Sequence, residues 1–285
     1  MKKRKLGNTG MEISPVIFGG IICMNETPED SKRFVSYALE NGVNYFDVAP
    51  SYADAEIKLG PALEPYRKDV FLACKTGRRD EAGGKKEFES SLRQLRTDFF
   101  DNYQLHALSS LSEVDEAFSS SGIMPYLIQM KEKGYARHLG ITAHNEDAAI
   151  EALNRYPFET VLFPVNWALN LKTGFGDRLS MICASRNVGF LAIKALAHRS
   201  WDEGEARRYP KSWCKTIYDN DALSVAALKF SLSKGAIAID PPGNFEQFQF
   251  TVEHIAECME NPFSDEDLKL LKQEFEPIKE RMIFN

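Results

Sequence analysis

The length, composition and charge of the chain indicate a globular protein and exclude several classes. Its 285 residues come near the roughly 250 residues of a single α/β barrel, and a hydrophobic content of 44% is enough to build a substantial core. The net charge is −6 and no lysine- or arginine-rich block follows the first five residues, which argues against a nucleic-acid partner. We expect one domain over residues 1–285, as a monomer or a homodimer.

Cysteine usage and the N-terminal segment bear on the compartment. The cysteines are scattered and none forms a C-x-x-C pair, which argues against a disulfide framework, a zinc site or an iron–sulfur cluster: Cys23, Cys74, Cys183, Cys214 and Cys258. Basic residues 1–5 and apolar residues 16–24 superficially resemble a secretion signal, but Pro15 and several glycines interrupt the segment and no cleavage site follows. The chain has no run of 18 apolar residues, so no membrane span is predicted. We expect a cytoplasmic protein with no metal and no membrane partner.

The predicted elements begin with a β-hairpin and continue as alternating strands and helices. Residues 3–6 and 11–14 flank a Gly-Asn-Thr-Gly turn. Eight strand-like runs follow, at 16–18, 43–46, 70–73, 103–105, 138–142, 161–165, 189–193 and 236–239. Amphipathic segments between them predict helices at 30–40, 86–95, 124–133, 147–153, 178–186 and 223–232. Thr27 and Pro28 are typical of a helix start, and Gly42 and Gly134 of helix ends.

This alternation predicts an α/β fold, a (β/α)₈ TIM barrel with an N-terminal β-hairpin. The alternative is an open doubly wound sheet, whose usual glycine-rich turn is not matched by Phe18-Gly19-Gly20-Ile21. Apolar residues at helical spacing predict a helical tail over about 260–285 that packs on the barrel. The segment 198–221 is long, irregular and aromatic, so we expect it to cover a substrate site.

Polar residues follow successive predicted strands, at the end of a barrel where active sites lie. Asp47 ends the second strand, Tyr52 lies in the next loop, and Lys75 and His106 end the third and fourth strands. Reduction of a carbonyl needs a proton donor; Tyr52 suits this role if Lys75 lowers its ordinary pKa of about 10. Asp47 would position Lys75, and His106 would orient the carbonyl. Each residue alone also fits a structural role, but their joint occurrence favours catalysis.

Several segments also resemble one known family. Residues 5–10 (KLGNTG), 44–52 (NYFDVAPSY), 73–76 (ACKT), 101–106 (DNYQLH) and 133–142 (KGYARHLGIT) are similar, in this order, to motifs of the aldo-keto reductases. The resemblance runs from residue 3 to about residue 255 and is most specific around Asp47 and Tyr52. It implies a nicotinamide-dependent oxidoreductase that reduces an aldehyde or ketone, with catalytic residues Asp47, Tyr52, Lys75 and His106.

The resemblance further implies where the cofactor binds. Gly20, Ile21, Thr142 and Asn166 match positions around the nicotinamide, and His144 is a less clear match. The pyrophosphate and adenine are expected along the seventh and eighth strands, near Lys194, Leu196, Pro242, Gly243 and Asn244.

Two departures from the family pattern concern the same cofactor. Gln249 stands where relatives often have an arginine for the adenosine 2′-phosphate, and Glu253 lies nearby. Ile193 replaces an aromatic residue that stacks on the nicotinamide. The resemblance to this family favours NADPH as the cofactor, and NADH is the alternative.

The substrate is expected to be a small carbonyl compound held by an apolar and aromatic wall of Ile22, Met24, Trp167, Trp201 and Trp213. Two other functions compete with reduction. One is a regulatory protein on the same fold that binds cofactor with little turnover. The other is a metal-dependent isomerase or lyase, which would need more converging carboxylates and histidines than this chain offers.

Overall fold

Eight parallel strands form a barrel in the computed structural model, which describes residues 1–283. They are β3 (Phe18–Gly19), β4 (Tyr45–Asp47), β5 (Phe71–Thr76), β6 (Phe100–Leu108), β7 (Ala136–Ala143), β8 (Thr160–Pro164), β9 (Gly189–Ile193) and β12 (Ala238–Asp240). The sheet runs in chain order from β3 to β9 and ends on β12, and a parallel bridge between Val16 and Ile239 joins its two edges. The predicted (β/α)₈ barrel is therefore confirmed, and an open doubly wound sheet is excluded.

Helices connect the strands on the outside of the barrel. They are α1 (Pro28–Glu40), α2 (Ala55–Leu63), α3 (Glu81–Gln94), α4 (Leu111–Ala117), α5 (Met124–Glu132), α6 (Glu146–Arg155), α7 (Trp167–Thr173), α8 (Asp177–Arg186), α9 (Asp221–Ser233), α10 (Phe245–Glu260) and α11 (Asp265–Phe275). Thr27 caps α1 as predicted, accepting a hydrogen bond from the Asp30 amide. The sequence prediction missed α2, α4, α7 and α10. None of these helices among residues 1–283 is long and apolar enough to cross a membrane.

An N-terminal hairpin covers the end of the barrel where the strands begin. Its strands β1 (Arg4–Lys5) and β2 (Glu12–Ile13) pair antiparallel, with Gly10 in the left-handed region at φ 76°. Leu6 and Ile13 are fully buried and pack with inward-facing side chains of the barrel strands. Because the hairpin fills this end, a ligand reaches the barrel interior from the opposite end, where the strands finish.

The segment between β9 and α9 forms a second, smaller ladder. Strands β10 (Ala197–Arg199) and β11 (Lys215–Thr216) pair antiparallel, and residues 200–214 form an excursion between them that we call the strap. Arg199 at its base binds both carboxylate oxygens of Glu205 at 2.8 Å. The Ser200 amide donates to the carbonyl of Arg281 at 2.9 Å, which ties the strap to the chain beyond α11. Residues 284–285 of the predicted tail lie outside the described residues.

Candidate active site

A buried ion pair lies at the point where β4 and β5 end. The Lys75 ammonium donates to Asp47 Oδ2 and, at 3.2 Å, to the Val48 carbonyl, while Gln104 on β6 donates to Asp47 Oδ1 at 2.7 Å. Asp47 and Lys75 are only 2% and 1% exposed. Burial favours the neutral amine, but the charge of Asp47 outweighs it, so the pKa of Lys75 is raised. The ammonium therefore stays charged and fixed in position.

Tyr52 lies above this pair, in the turn that leads from β4 into α2. The Lys75 ammonium is 5.2 Å from the centre of its ring. Burial raises the pKa of the Tyr52 hydroxyl to about 12, while Lys75 acts in the opposite direction. The expectation of a lowered pKa is therefore wrong for the protein without ligand, since desolvation of the phenolate exceeds the attraction of Lys75. Tyr52 holds its proton at neutral pH.

His106 completes the group from the end of β6. Its ring meets the Tyr52 ring edge-on, with the centroids 5.9 Å apart. Burial holds the pKa of His106 well below its ordinary value, and the positive charges of Lys75 and Arg79 act in the same direction. A neutral imidazole carries one N–H donor and one acceptor nitrogen. His106 can therefore donate a hydrogen bond to a carbonyl oxygen without carrying a charge.

These side chains border a cavity of about 460 Å³ at the C-terminal ends of the strands. Ten of the residues predicted for the site line it: Ile21, Tyr52, Lys75, His106, Thr142, His144, Lys194, Trp213, Pro242 and Gly243. Asp47 lies behind Lys75. The Ile193 and Leu162 side chains add apolar wall, and His144, whose pKa burial lowers to about 4, adds a neutral imidazole. The cavity thus combines proton-carrying groups with an apolar wall.

Three polar atoms on the cavity wall have no hydrogen-bond partner within residues 1–283. They are Ser212 Oγ, Thr216 Oγ1 and Asp240 Oδ1. Each of these atoms is itself buried and does not open onto the cavity, so it is an exception to the rule that buried polar groups find partners. The sequence prediction missed Ser212, Thr216 and Gln104 as site residues. Asp240 ends β12, and strand position alone does not reveal which side chain faces the cavity.

Other predicted cofactor residues have structural roles instead. The Asn166 amide is fully engaged: it donates to the carbonyls of Lys194 and Ala197 and caps α7. Asn244 caps α10 through the Gln247 amide. Gln249 lies beside the Tyr37 hydroxyl of α1, away from the cavity. Gly20 packs against Val48, and Leu196 lies outside this cavity, on the wall of a smaller one nearby.

The predicted substrate wall is corrected in the same way. Trp167 begins α7 and is fully buried in the hydrophobic core. Ile22 is only 1% exposed and lies in the same core. Met24 packs on the same core. Trp201 donates from its indole nitrogen to the Ser212 carbonyl, inside the strap. Of the five candidates only Trp213, which is 68% exposed, lines the cavity.

The strap crosses the cavity mouth and is fastened on the far side. Lys211 Nζ donates to the Ile22 carbonyl at 2.7 Å and to Glu26 Oε1 at 2.5 Å. Gly243 lies against the strap, since a Cβ atom there would come 3.4 Å from Lys211 Cβ. The strap therefore links the loops that follow the first and last barrel strands. This position agrees with the predicted cover over the site.

Comparison with known proteins agrees with this architecture. The family model described as "Aldo/keto reductase family" matches residues 15–273. L-galactose dehydrogenase of Arabidopsis thaliana is 29% identical over 81% of this chain and 76% of its own. The oxidoreductase YqkF of Bacillus subtilis (strain 168) is 32% identical over 50% of this chain, and the match spans about half of that relative's length, 49%.

A solved structure, the aldo-keto reductase AKR11C1 from Bacillus halodurans, superposes with a TM-score of 0.71 at 22% identity, covering 96% of both chains. At this sequence identity the superposition supports the fold alone. The family match spans most of the chain. The chain belongs to the aldo/keto reductase family.

Proposed function

We propose that the protein reduces an aldehyde or ketone to an alcohol with NAD(P)H, and that Tyr52 donates the proton. The observation that carries this proposal is the convergence of Tyr52, Lys75 and His106 on one cavity, with Asp47 bonded to Lys75 behind them. A metal-assisted reaction has less support, because no cluster of three or more His, Cys, Asp or Glu side chains suited to a metal occurs in the described part of the chain.

The roles follow from the protonation states. Tyr52 is protonated at neutral pH and can give its hydroxyl proton to the oxygen of the reduced carbonyl. The charged Lys75 would stabilise the phenolate that remains, and Asp47, which accepts a hydrogen bond from Gln104, holds Lys75 in place. Neutral His106 would donate a hydrogen bond to the same carbonyl oxygen and fix its orientation.

The cavity fits a nicotinamide nucleotide, which supplies the hydride when it is bound. Apolar Ile21 and Ile193 offer faces to a ring, and Thr142 adds a hydroxyl-bearing side chain to the wall. Lys194 would bind the negatively charged phosphate groups of the cofactor. Aldo-keto reductases generally use such cofactors, which supports the same conclusion.

We propose a small carbonyl compound as substrate, with Trp213 as part of its wall. The exposed Trp213 ring lies 6.3 Å from the Tyr52 ring, so it can contact a substrate whose carbonyl reaches Tyr52 and His106. The similarity to L-galactose dehydrogenase supports including sugars and their oxidised forms among the compounds tested.

The test combines binding with turnover. NADH and NADPH are titrated into the purified protein by fluorescence, and aldehydes, ketones and aldoses are then screened for loss of the reduced-nicotinamide absorbance. We expect micromolar binding of at least one nucleotide and turnover that Tyr52→Phe abolishes. Failure of both nucleotides to bind would overturn the oxidoreductase proposal for this site.

A further inference from the structure

A second, smaller cavity lies at the same end of the barrel as the active site. It has a volume of about 160 Å³ and is bordered by residues of the β9–α9 connection, the start of α9 and the start of α10. Two larger depressions lie at the opposite end: one includes Glu12, Val70 and Phe71, and the other Pro157 and Val188, all near the starts of strands. Among these cavities, only the small one can share an extended ligand with the active site.

The walls of the small cavity suit an adenosine. Tyr209, Tyr218 and Phe250 give the wall aromatic rings, and base–aromatic stacking is a general way to hold a nucleobase. One face of each ring is already covered, by Arg208 over the two tyrosines and by His254 on Phe250, which leaves the other face for a base. Leu196 and Ile217, on the same wall, directly precede and follow Ala197 and Thr216 of the active-site cavity. The two cavities therefore border the same short ladder, one on each side.

The charges in the same wall are mostly negative. Asp219, Asp221 and Glu246 all line the cavity. The nearby cation, Arg208, is already engaged, with its Nη1 atom 2.9 Å from Asp219 and its Nη2 atom 3.7 Å from Glu246. Tyr209 donates its hydroxyl proton to Glu246 at 2.8 Å. A phosphate entering here would meet three carboxylates and one arginine that already has partners.

Helix ends offer the phosphate no alternative. The N-termini of α9 and α10 both begin at this cavity, and such ends commonly bind anions through free amides. Here Asn220 accepts from the Leu223 amide at 3.1 Å, and Asn244 accepts from the Gln247 amide at 2.9 Å. Asp221 and Glu246 also place negative charge in the first turn of each helix. At each helix end one amide is thus capped by a side chain of the protein, and an acidic residue in the first turn opposes a second anion.

We infer that this cavity takes an adenosine with a free 2′-hydroxyl, so that the protein uses NADH in preference to NADPH. This inference rests on the proposed function. A carboxylate can accept a hydrogen bond from a ribose hydroxyl, whereas a 2′-phosphate needs a cation in that place. Asp219, Asp221 and Glu246 are the residues that set this preference, and it reverses the expectation of NADPH drawn from the family's habit.

Calorimetric titration with whole cofactors and with fragments tests the inference without relying on turnover. The probes are NADH, NADPH, AMP and adenosine 2′,5′-bisphosphate. We expect NADH to bind about tenfold or more tightly than NADPH, a difference of about 1.4 kcal/mol. AMP should likewise bind more tightly than the bisphosphate. Added salt should narrow both differences, since it screens repulsion between exposed charges.

Variants test which residues set the preference for NADH over NADPH. Glu246→Gln, alone and with Asp219→Asn, should narrow the NADH preference severalfold, because glutamine keeps the acceptor for Tyr209 but loses the charge. Glu253→Gln is the matched control: it removes a carboxylate from the exposed side of the same helix and should leave the preference unchanged. Gln249→Arg should not raise NADPH affinity, since Gln249 faces Tyr37.

The outcomes separate this inference from the proposed function. Tight binding of both dinucleotides with equal or greater affinity for NADPH would overturn the preference and leave the function standing. A strong NADH preference that the double variant does not change would overturn the role of these carboxylates. If neither dinucleotide binds, the proposed function itself fails.

Discussion

The Tyr52 and His106 rings meet at an interplanar angle of 86°, with their centroids 5.9 Å apart. This edge-on contact brings a protonated phenol and a neutral imidazole to the same side of the cavity. A carbonyl oxygen between them could accept a hydrogen bond from each. The contact therefore gives the pair a joint role, in which His106 aligns the oxygen that Tyr52 protonates.

Replacing Tyr52 by phenylalanine removes the proton donor and little else. We expect Tyr52→Phe to lower kcat for carbonyl reduction by roughly 10²- to 10⁴-fold, the usual contribution of general acid catalysis. Nucleotide affinity and the circular dichroism spectrum should stay unchanged. Reduction at the wild-type rate would contradict the role of Tyr52.

Removing Lys75 leaves a carboxylate buried without its counter-ion. We expect Lys75→Met to lower the free energy of unfolding by about 3–5 kcal/mol, the typical cost of breaking a buried ion pair from one side. Reduction should also fall, because Lys75 favours the Tyr52 phenolate. Denaturant titration measures the first effect and steady-state kinetics the second. Lys75→Met/Asp47→Asn, which removes both charges, should recover part of the stability; no recovery would argue against the ion pair as the cause.

His144 makes stability depend on pH in the mildly acidic range. Burial lowers its pKa from 6.5 to about 4, and the positive charge of Lys194 adds to this. The unfolded chain therefore binds the proton first, so the stabilisation is complete above pH 6.5 and is lost as the pH falls from 6.5 to 4. We expect a loss of up to about 3 kcal/mol from this residue. Denaturant titrations across this range should give a flatter profile for His144→Gln, and an unchanged slope would contradict the assignment.

Lys211 fastens the strap, so its loss should affect how long a nucleotide stays bound. We expect Lys211→Met to speed nucleotide dissociation about tenfold, a change that corresponds to losing one charge-assisted hydrogen bond. Stopped-flow displacement measures the rate. Lys215→Met is the control, because Lys215 binds Glu205 within the strap and does not reach across the mouth. Equal effects of the two substitutions would argue against a fastening role for Lys211.

Trp213 offers a test of the substrate wall. We expect Trp213→Ala to raise KM for an aromatic aldehyde about tenfold, since an aromatic contact contributes on the order of 1 kcal/mol beyond the apolar area it buries. The dissociation constant of the nucleotide should change little. Trp201→Phe, which alters a residue outside the cavity wall, should leave KM unchanged. If KM changed only in Trp201→Phe, Trp213 would not be part of the substrate wall.

The sequence by itself determined the barrel and the convergence of four side chains at one end of it. Parallel strands all finish at the same edge, so the polar residue that ends each apolar run must lie near its neighbours. Asp47, Lys75 and His106 follow this rule directly, and Tyr52 lies in the first loop above them. The N-terminal hairpin was equally readable, because its turn and flanking strands are local in the chain.

Only the tertiary structure decided which polar residues face the cavity and how the charges balance. Asn166 and Asn244 look like ligand-binding amides in sequence, but both satisfy backbone groups of their own helices. The pKa of Tyr52 depends on burial against attraction by Lys75, and the amount of burial is set by segments far apart in the chain. Likewise the carboxylates of Asp219, Asp221 and Glu246 become neighbours only because α9 and α10 begin side by side on the barrel rim. Local sequence patterns therefore predict the helices and strands. The desolvation and the electrostatic environment of a side chain depend on packing between segments far apart in the chain.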